Sequence, residues 1–261
     1  MRAAGIDIGS RTVKVAVVEQ GRLAAHRIAY NSHDPIEVCR GLLDGLAYDA
    51  LFATGYGRHL FKQYWPCTVV TEIKAVAVGS RFFAPAARAV LDVGGQDTKA
   101  VALDPRGGVA KFEMNDKCAA GTGRFLEIMA TALSYSMEDF ADAALQASAE
   151  QKVSPMCTVF AESEVISLVA RGLPRDGLAA GLHRTVAQRV ASMLRRVPLE
   201  GDVVFCGGVA LNACLRRLIE QELGLRLVVP EQPQLVAAVG GALLAAGSCA
   251  TGLLLNPTGS E

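Results

Sequence analysis

One strand–turn–strand pattern occurs twice in this chain, and its two copies lie 85 residues apart. Residues 3–8 read as a buried strand that runs into the turn Asp7-x-Gly9, and residues 89–93 read as one that runs into Asp92-x-Gly94. After each turn, apolar residues predict a second strand antiparallel to the first, and another turn leads into a third strand. Helical patterns and further strands follow each copy. The repeat predicts an α/β fold with two similar domains, which 261 residues at 51% hydrophobic content can fill.

Both turns have the chemistry of a phosphate site. Glycine lets backbone N–H groups approach a phosphate without a side chain in the way, and a carboxylate at a strand end can hold Mg²⁺, usually through water. One such turn alone is more often an ordinary hairpin, but the repetition and a later strand that ends in Gly207-Gly208 favour a nucleotide site. The candidate ligands are Asp7, Gly9, Ser10, Arg11 and Lys14 in the first copy and Asp92, Gly94, Gly95, Gln96 and Asp97 in the second.

Two cysteines stand directly before helical patterns that follow the second copy. These are Cys118 and Cys157, and their helices are expected to begin at Ala119 and Thr158. A helix N-terminus carries a partial positive charge and favours an anion, such as a thiolate or a thiolate-bound cluster. Seven cysteines without a secretion signal favour metal binding, catalysis or burial over a disulfide framework. Simple burial is predicted for Cys39, Cys67, Cys206, Cys214 and Cys249.

Charge and hydropathy argue against several classes of function. The 26 basic and 26 acidic residues balance, and no basic stripe indicates nucleic-acid binding. The N-terminal residues meet an acid at Asp7, so no signal peptide is expected. The longest apolar runs, such as Val236 to Ala246, contain glycines and are too short to span a bilayer. These features predict a cytoplasmic protein that binds neither nucleic acid nor membrane.

The order of these motifs resembles the ATPase superfamily that contains actin, hexokinase and the large heat-shock chaperones. The resemblance rests on the two Asp-x-Gly turns, a helix that begins at Glu72, and the pairs Gly207-Gly208 and Gly240-Gly241. It implies two ribonuclease-H-like domains, residues 1–86 plus 234–261 and residues 87–233, with the nucleotide in the cleft between them. It also implies that Gly207 and Gly208 approach the adenosine. Glu72 and Gly240 would lie at the nucleotide site, in the two connections between the domains.

Four longer motifs give a closer resemblance. The chain is similar to the activators of 2-hydroxyacyl-CoA dehydratases and the ATPase subunits of benzoyl-CoA reductase, the BadF/BadG/BcrA/BcrD family, at residues 55–58, 94–97, 116–125 and 157–165. The resemblance implies a homodimer, or a pair of sister subunits, with one [4Fe–4S] cluster at the interface. Two cysteines from each subunit would hold it, at the positions of Cys118 and Cys157. ATP turnover would drive a low-potential electron, supplied by ferredoxin or flavodoxin, into an acyl-CoA dehydratase or reductase partner.

Roles in hydrolysis follow from the needs of phosphoryl transfer, which are a positioned water and a neutralised phosphate charge. Asp7 and Asp92 are the candidate Mg²⁺ ligands, and Glu72 or Gln96 is the candidate for positioning the water. Glu72 has an equally simple alternative role, since an acid in the first turn of a helix complements the helix dipole. Domain closure on ATP is expected to move the cysteine-led helices and so gate electron transfer. The alternatives are a sugar or small-molecule kinase of the same fold and a non-catalytic nucleotide-binding scaffold.

Overall fold

The computed structural model describes residues 1–153 and 158–250. The chain separates into two compact units, one formed by Met1–Pro85 with the segment from Leu235 onward and the other by Ala86–Gln234. The strands, in chain order, are β1 (Arg2–Ile8), β2 (Thr12–Glu19), β3 (Arg22–Tyr30), β4 (Ala50–Thr54), β5 (Thr68–Val69), β6 (Ala87–Val93), β7 (Thr98–Leu103), β8 (Val109–Asn115), β9 (Asp202–Cys206) and β10 (Leu227–Val228). The helices are α1 (Pro35–Leu43), α2 (Arg58–Lys62), α3 (Glu72–Phe83), α4 (Gly123–Ala132), α5 (Met137–Gln146), α6 (Thr158–Ala170), α7 (Arg175–Leu194), α8 (Ala213–Leu223) and α9 (Val236–Ala250).

Side-chain caps fix where two helices of the first unit begin. The Asp34 carboxylate accepts two backbone N–H groups of α1 at 3.1 Å, and Pro35 occupies the first helical position. Thr71 Oγ1 accepts from the N–H of Lys74 at 3.3 Å at the start of α3. Both starts are also what the sequence predicts, because proline favours the first position of a helix and threonine the cap position, and both are confirmed.

The two units contain the same sheet. The strand order is β3-β2-β1-β4-β5 in the first unit and β8-β7-β6-β9-β10 in the second. In each sheet the first three strands pair antiparallel, and the central strand pairs in parallel with the fourth. The registers set Asp7 opposite Lys14 and Asp92 opposite Lys99. The internal repeat predicted from the sequence is therefore confirmed.

In the first unit, α3 and α9 cross with their backbones in contact. A Cβ atom on Gly240 would lie 1.8 Å from the carbonyl oxygen of Ala75, and one on Gly79 would lie 1.9 Å from a backbone oxygen of α9. α9 also packs on β1, where a Cβ atom on Gly5 would lie 2.0 Å from the carbonyl oxygen of Ala238. The interpretation that glycines within the last helix mark a close backbone approach is confirmed.

The core of the second unit lies between its sheet and the helices that follow β8. Phe125 and Met129 of α4, Phe140 of α5 and Leu182 of α7 are almost fully buried in one apolar cluster. α7 packs against both α5 and α8. These contacts hold α7 close to the end of β8, where Cys118 follows. Among the described residues, no helix combines the length and the apolar character that crossing a membrane requires.

Two helices begin later than the sequence predicts. The prediction of an α-helix directly after Cys118 is wrong, because Ala119–Gly121 forms a single 3-10 turn. Thr122 is extended, and α4 begins at Gly123. The last helix, predicted from Pro233, begins at Val236 after another 3-10 turn. The first difference matters for the site, since it changes what the N-terminus of α4 contacts.

Candidate functional site

The first predicted phosphate turn joins β1 to β2. The N–H of Gly9 donates to the carbonyl of Thr12 at 3.1 Å and closes the turn. Asp7, at the end of β1, is 8% exposed and accepts a hydrogen bond from Lys14 Nζ at 3.0 Å. A Cβ atom on Gly9 would lie 2.9 Å from the carbonyl oxygen of Thr12, so only glycine fits without movement. The turn therefore brings a carboxylate, an ammonium group and an unshielded backbone together, with Ser10 beside them.

The second predicted turn, between β6 and β7, has the same geometry. The N–H of Gly94 donates to the carbonyl of Asp97 at 2.9 Å, as its counterpart does in the first turn. Lys99 Nζ lies 3.5 Å from an oxygen of Asp92 and 2.7 Å from an oxygen of Asp97. A Cβ atom on Gly94 would lie 2.8 Å from Asp97 Oδ1. Asp92, Gly94 and Asp97 are thus brought together as predicted, and Gly95 continues the same turn.

Sequence reasoning missed Lys99 as a site residue. Its side chain is 3% exposed, and it pairs with two carboxylates that offset the cost of burying an ammonium group. The signal was available, because Lys99 follows Lys14 by 85 residues, the spacing that separates Asp92 from Asp7. Applying the repeat to the lysine as well as to the turn would have identified it.

The Gly207-Gly208 turn lies against the second phosphate turn within the same unit. β9 runs parallel to β6 and sets Cys206 beside Asp92. Gly207 has a φ of +85°, and a Cβ atom there would lie 2.3 Å from a backbone oxygen of β6 and 2.5 Å from Asp92 Oδ1. Its N–H donates to the carbonyl of Pro233 at 3.0 Å. Both the backbone conformation and the close approach therefore require glycine at this position.

A buried hydrogen-bond chain supports the segment after this turn. His183 of α7 is fully buried, and its Nδ1 contacts the carbonyl of Ala179 at 2.8 Å, so that nitrogen carries the proton. Its Nε2 therefore accepts from Asn212 Nδ2 at 3.0 Å. Asn212 Oδ1 in turn accepts from the N–H of Leu215 at 2.9 Å and caps α8. Burial lowers the pKa of His183 to about 4, which keeps the ring neutral at physiological pH.

Because His183 is buried and neutral, we predict that the free energy of unfolding falls in mild acid. In the unfolded chain His183 takes up a proton as the pH falls below 6.5, but in the folded chain it does so only near pH 4. The stability that comes from keeping this ring neutral is therefore fully present above pH 6.5 and is lost as the pH falls. Lowering the pH from 7 to 5 should reduce the free energy of unfolding, measured with urea, by about 2 kcal/mol. His183→Gln should abolish that part of the pH dependence, and His33→Gln, at an exposed position, should keep it. Equal pH dependence in the wild type and His183→Gln would contradict the prediction.

The remaining residues predicted to bind nucleotide, Glu72, Gln96, Arg11 and Gly240, each have different contacts or exposure. Glu72 is the first residue of α3, and its Oε1 lies 3.8 Å from Arg58 Nη1. Gln96 is exposed in the second turn. The guanidinium of Arg11 lies over the ring of Tyr30, 5.3 Å from its centroid. Gly240 lies at the crossing of α9 with α3, as described above.

Cys118 lies on an exposed loop between β8 and α4. The Asn115 side chain holds its backbone twice, since Oδ1 accepts from the N–H of Cys118 at 3.1 Å and Nδ2 donates to its carbonyl at 2.8 Å. Arg189 of α7 places Nη1 3.9 Å from Cys118 Sγ. A cavity of about 520 Å³ lies beside the thiol, with Thr98 and Gln188 in its lining. An accessible sulfur next to a guanidinium fits one thiolate ligand of an anionic iron–sulfur cluster.

The first N–H groups of α4 point to the second phosphate turn. Gly123 and Arg124 donate to the carbonyls of Gly94 and Gly95 at 2.9 Å and 2.8 Å. These bonds satisfy donors that a helix start leaves free, and they explain why α4 begins at Gly123. The prediction that α-helical N–H groups from Ala119 onward face a cluster on Cys118 is therefore wrong. The cysteine loop is instead attached to the turn through the start of α4.

The other described cysteines contrast with Cys118. Cys39, Cys206 and Cys214 are buried, as predicted, whereas Cys67 is partly exposed. Burial raises the pKa of Cys39 to about 12 and that of Cys214 to about 11, so both thiols stay protonated at neutral pH. Among the cysteine side chains that the structure describes, Cys118 is the exposed one.

Part of the predicted cluster site lies outside the described residues. Cys157 belongs to that part. The side chain of Cys249, for which burial is predicted, also lies outside the described residues. Within residues 1–153 and 158–250, no three or more His, Cys, Asp or Glu side chains gather as a metal site. The described chain therefore supplies one accessible thiol at the predicted position, Cys118.

Comparison with known proteins shows an ATPase family and relatives that are named as activators of acyl-CoA dehydratases. A family model described as "BadF/BadG/BcrA/BcrD ATPase family" matches residues 4–245. The chain is 40% identical over 256 residues to the activator of lactoyl-CoA dehydratase from Anaerotignum propionicum, covering 94% of this chain and 97% of that protein. This similarity extends through both units.

Solved structures agree with this match. The activator of the 2-hydroxyisocaproyl-CoA dehydratase from Clostridium difficile, with bound ADPNP, has a TM-score of 0.88 at 34% identity and covers 100% of both chains. A ROK family glucokinase from Streptomyces griseus, in complex with glucose and AMPPNP, has a TM-score of 0.59 at 14% identity, covering 95% of this chain and 100% of that one. The second likeness shows the fold alone. The predicted α/β fold of the actin and hexokinase type is confirmed.

Proposed function

Because the chain belongs to the BadF/BadG/BcrA/BcrD ATPase family, we propose that it is an ATP-dependent reductive activator of a 2-hydroxyacyl-CoA dehydratase or a related acyl-CoA reductase. The chain is an ATPase by family, and relatives that align along almost its whole length carry activator names. The acyl-CoA enzyme is the partner to which the electron would pass. The fold alone would equally suit a kinase, so the proposal depends on what is specific to the region around Cys118.

ATP is bound, in this proposal, through the two glycine turns. Backbone N–H groups of Gly9, Gly94 and Gly95 take phosphate oxygens, and Lys14 and Lys99 add positive charge. Asp7 and Asp92 suit Mg²⁺, since each is a largely buried carboxylate at a strand end beside such a turn. Gly207 and Gly208 accept the adenosine, with Gly240 at the same nucleotide site. Ser10, Arg11 and Asp97 complete the set of ligands, and Glu72 or Gln96 positions the attacking water.

The cluster would be held by Cys118 and Cys157 together with the same two cysteines of a second subunit. A [4Fe–4S] cluster needs four thiolates, and a twofold axis through it lets each chain supply two. When bound, such a group supplies one-electron transfer at low potential. Residues of this chain hold the Cys118 ligand in place. The Asn115 side chain makes two hydrogen bonds to the Cys118 backbone, and the Arg189 guanidinium lies beside the Cys118 sulfur.

One observation carries the proposal: the second phosphate turn and the Cys118 loop share hydrogen bonds. Besides the two bonds from the start of α4 to the carbonyls of Gly94 and Gly95, the Thr98 hydroxyl donates to the carbonyl of Gly121 at 2.7 Å. A phosphate that binds or leaves this turn therefore acts on atoms bonded to the cysteine loop. ATP can shift that loop only by binding one of its arrangements better than another. An ordinary kinase has no use for this connection.

The proposed electron-transfer role implies an oligomeric state, an electron donor and a cellular location. We propose a homodimer, or a pairing with a sister subunit, because one chain offers only half the thiolates. Ferredoxin or flavodoxin is the proposed electron donor, since either carries single electrons. A cytoplasmic location is proposed because the seven cysteines come without a secretion signal and Cys39, Cys67, Cys118 and Cys214 form no disulfide among the described residues.

The test is electron paramagnetic resonance of anaerobically purified, reduced protein, with and without ATP, together with iron content and mass in solution. We expect a reduced-cluster signal at one cluster per dimer, and we expect ATP to change its shape. An iron-free monomer that still hydrolyses ATP would overturn the electron-transfer role. Sugar phosphate formed from ATP by that monomer would establish the kinase alternative instead.

A further inference from the structure

Residues Gly55, Tyr56, Gly57 and Arg58 form one of the four motifs that this chain shares with the family, and the proposed function gives this motif no role. We call these residues the GYGR segment. It follows β4, whose last residue, Thr54, lies beside Asp7 in the parallel register. The segment leads into the short helix α2. It therefore lies next to the first phosphate turn, in the same unit as Glu72.

The GYGR segment packs directly on the end of β1. Gly57 donates its N–H to the carbonyl of Ile8 at 2.9 Å. Gly55 has a φ of +90°, and a Cβ atom there would lie 2.5 Å from both Asp7 Oδ1 and the carbonyl oxygen of Ile8. A Cβ atom on Gly57 would lie 2.4 Å from Ile8 Cγ2. Both positions therefore require glycine if the segment is to pack this closely on the end of β1. At Gly55 the backbone lies against the Asp7 carboxylate.

Arg58 connects this packed segment to α3. Its Nη1 donates to the carbonyl of Gly55 at 2.9 Å, and the same nitrogen lies 3.8 Å from Glu72 Oε1. The two side chains are 26% and 20% exposed, so solvent screens the ion pair and it adds little to stability. Its effect is on position, since Glu72 is attracted to a guanidinium that is hydrogen-bonded to Gly55, and the backbone of Gly55 lies against Asp7.

We propose that Arg58 is a positioning residue for ATP hydrolysis, which holds the Glu72 carboxylate in a fixed place relative to Asp7 through the GYGR segment. The inference rests on the proposed function, in which Asp7 binds Mg²⁺, and it assigns the positioning of the water to Glu72 rather than Gln96. The alternative, in which Glu72 only complements the dipole of its own helix, gives Arg58 no part in hydrolysis, and the variants below separate the two roles.

Steady-state ATP hydrolysis by four variants tests the inference: Arg58→Gln, Glu72→Gln, the double variant and Tyr56→Ala. Arg58→Gln should lower kcat by about tenfold to a hundredfold and leave the KM for ATP within about twofold, because a misplaced group weakens the chemical step. In the Glu72→Gln background, Arg58→Gln should add no further loss, since it acts through that carboxylate. Tyr56→Ala is the matched control in the same segment; its side chain is 82% exposed, and its kinetics should match the wild type.

Arg58→Lys guards against a variant that fails to fold. Lysine keeps the charge but lacks the planar fork, so kcat should fall between those of the wild type and Arg58→Gln. A kcat for Arg58→Lys equal to that of the wild type would overturn the inference. So would losses that multiply in the double variant, or an effect of Arg58→Gln confined to KM. A wild-type protein that does not hydrolyse ATP would overturn the proposed function as well, whereas multiplying losses in an active enzyme would overturn the inference alone.

Discussion

Replacement of Cys118 with serine is expected to remove the proposed iron–sulfur cluster. In the proposed dimer this one change takes away two of the four thiolates, and a serine hydroxyl is a poor substitute at neutral pH. Iron should fall from about four atoms per dimer to almost none after anaerobic purification. The brown colour and the reduced-state resonance signal should disappear with it. ATP hydrolysis should persist, because the nucleotide-binding residues are unchanged.

Cys67→Ser is the matched control for this experiment. Cys67 is the other described cysteine with some exposure, and it lies in the first unit, away from Cys118 in the chain. Burial raises the pKa of its thiol, which makes it a weaker thiolate ligand. Iron content in Cys67→Ser should equal that of the wild type. Full iron in Cys118→Ser would show that this cysteine is not a ligand.

Gly240→Ala should cause the largest loss of stability among conservative substitutions in the first unit. The added methyl group would meet the backbone oxygen of Ala75 at 1.8 Å. Backbone cannot rotate away as a side chain can, so α9 and α3 must separate or shift. We expect a loss of about 3 kcal/mol in the free energy of unfolding, measured with urea and circular dichroism.

Gly247→Ala, in the same helix, provides the control. Apart from its chain neighbours and the backbone of its own helix, no atom of the described residues lies within 4 Å of a Cβ atom at that position. The substitution should be neutral or stabilise the protein by up to about 1 kcal/mol, since alanine favours a helix over glycine. Similar unfolding curves for Gly240→Ala and the wild type would mean that the two helices separate at little cost.

The parts of this fold that the sequence predicts are those encoded locally. The hairpins around Asp7 and Asp92 each consist of two apolar strands joined by a glycine turn, and each lies within one short stretch of the chain, Arg2 to Glu19 or Ala87 to Leu103. The cap at Thr71 is similarly short in range. The repeat then extends these local signals to the whole architecture, because two copies of one pattern predict two copies of one sheet.

The parts that the sequence could not predict depend on contacts between distant residues. His183 and Asn212 are 29 positions apart, and neither has a neighbour that signals the other. The start of α4 is set by the carbonyls of Gly94 and Gly95, which belong to another element, so helical periodicity misplaces it. Arg58 and Glu72 belong to different helices, α2 and α3, so their contact likewise depends on how separate elements pack. Local pattern predicts candidate ligands of the site but not the hydrogen bonds that connect the elements carrying them.

The discontinuous composition of the first unit has a consequence for biosynthesis. Ala86–Gln234 is one uninterrupted stretch, so on the ribosome it can emerge whole and fold while the rest is still being translated. The sheet of the first unit is made earlier, yet the face around Gly5 stays uncovered until α9 emerges. The half of the protein that is translated first is therefore finished last. During that interval its bare sheet is the surface that a nascent-chain chaperone would need to shield.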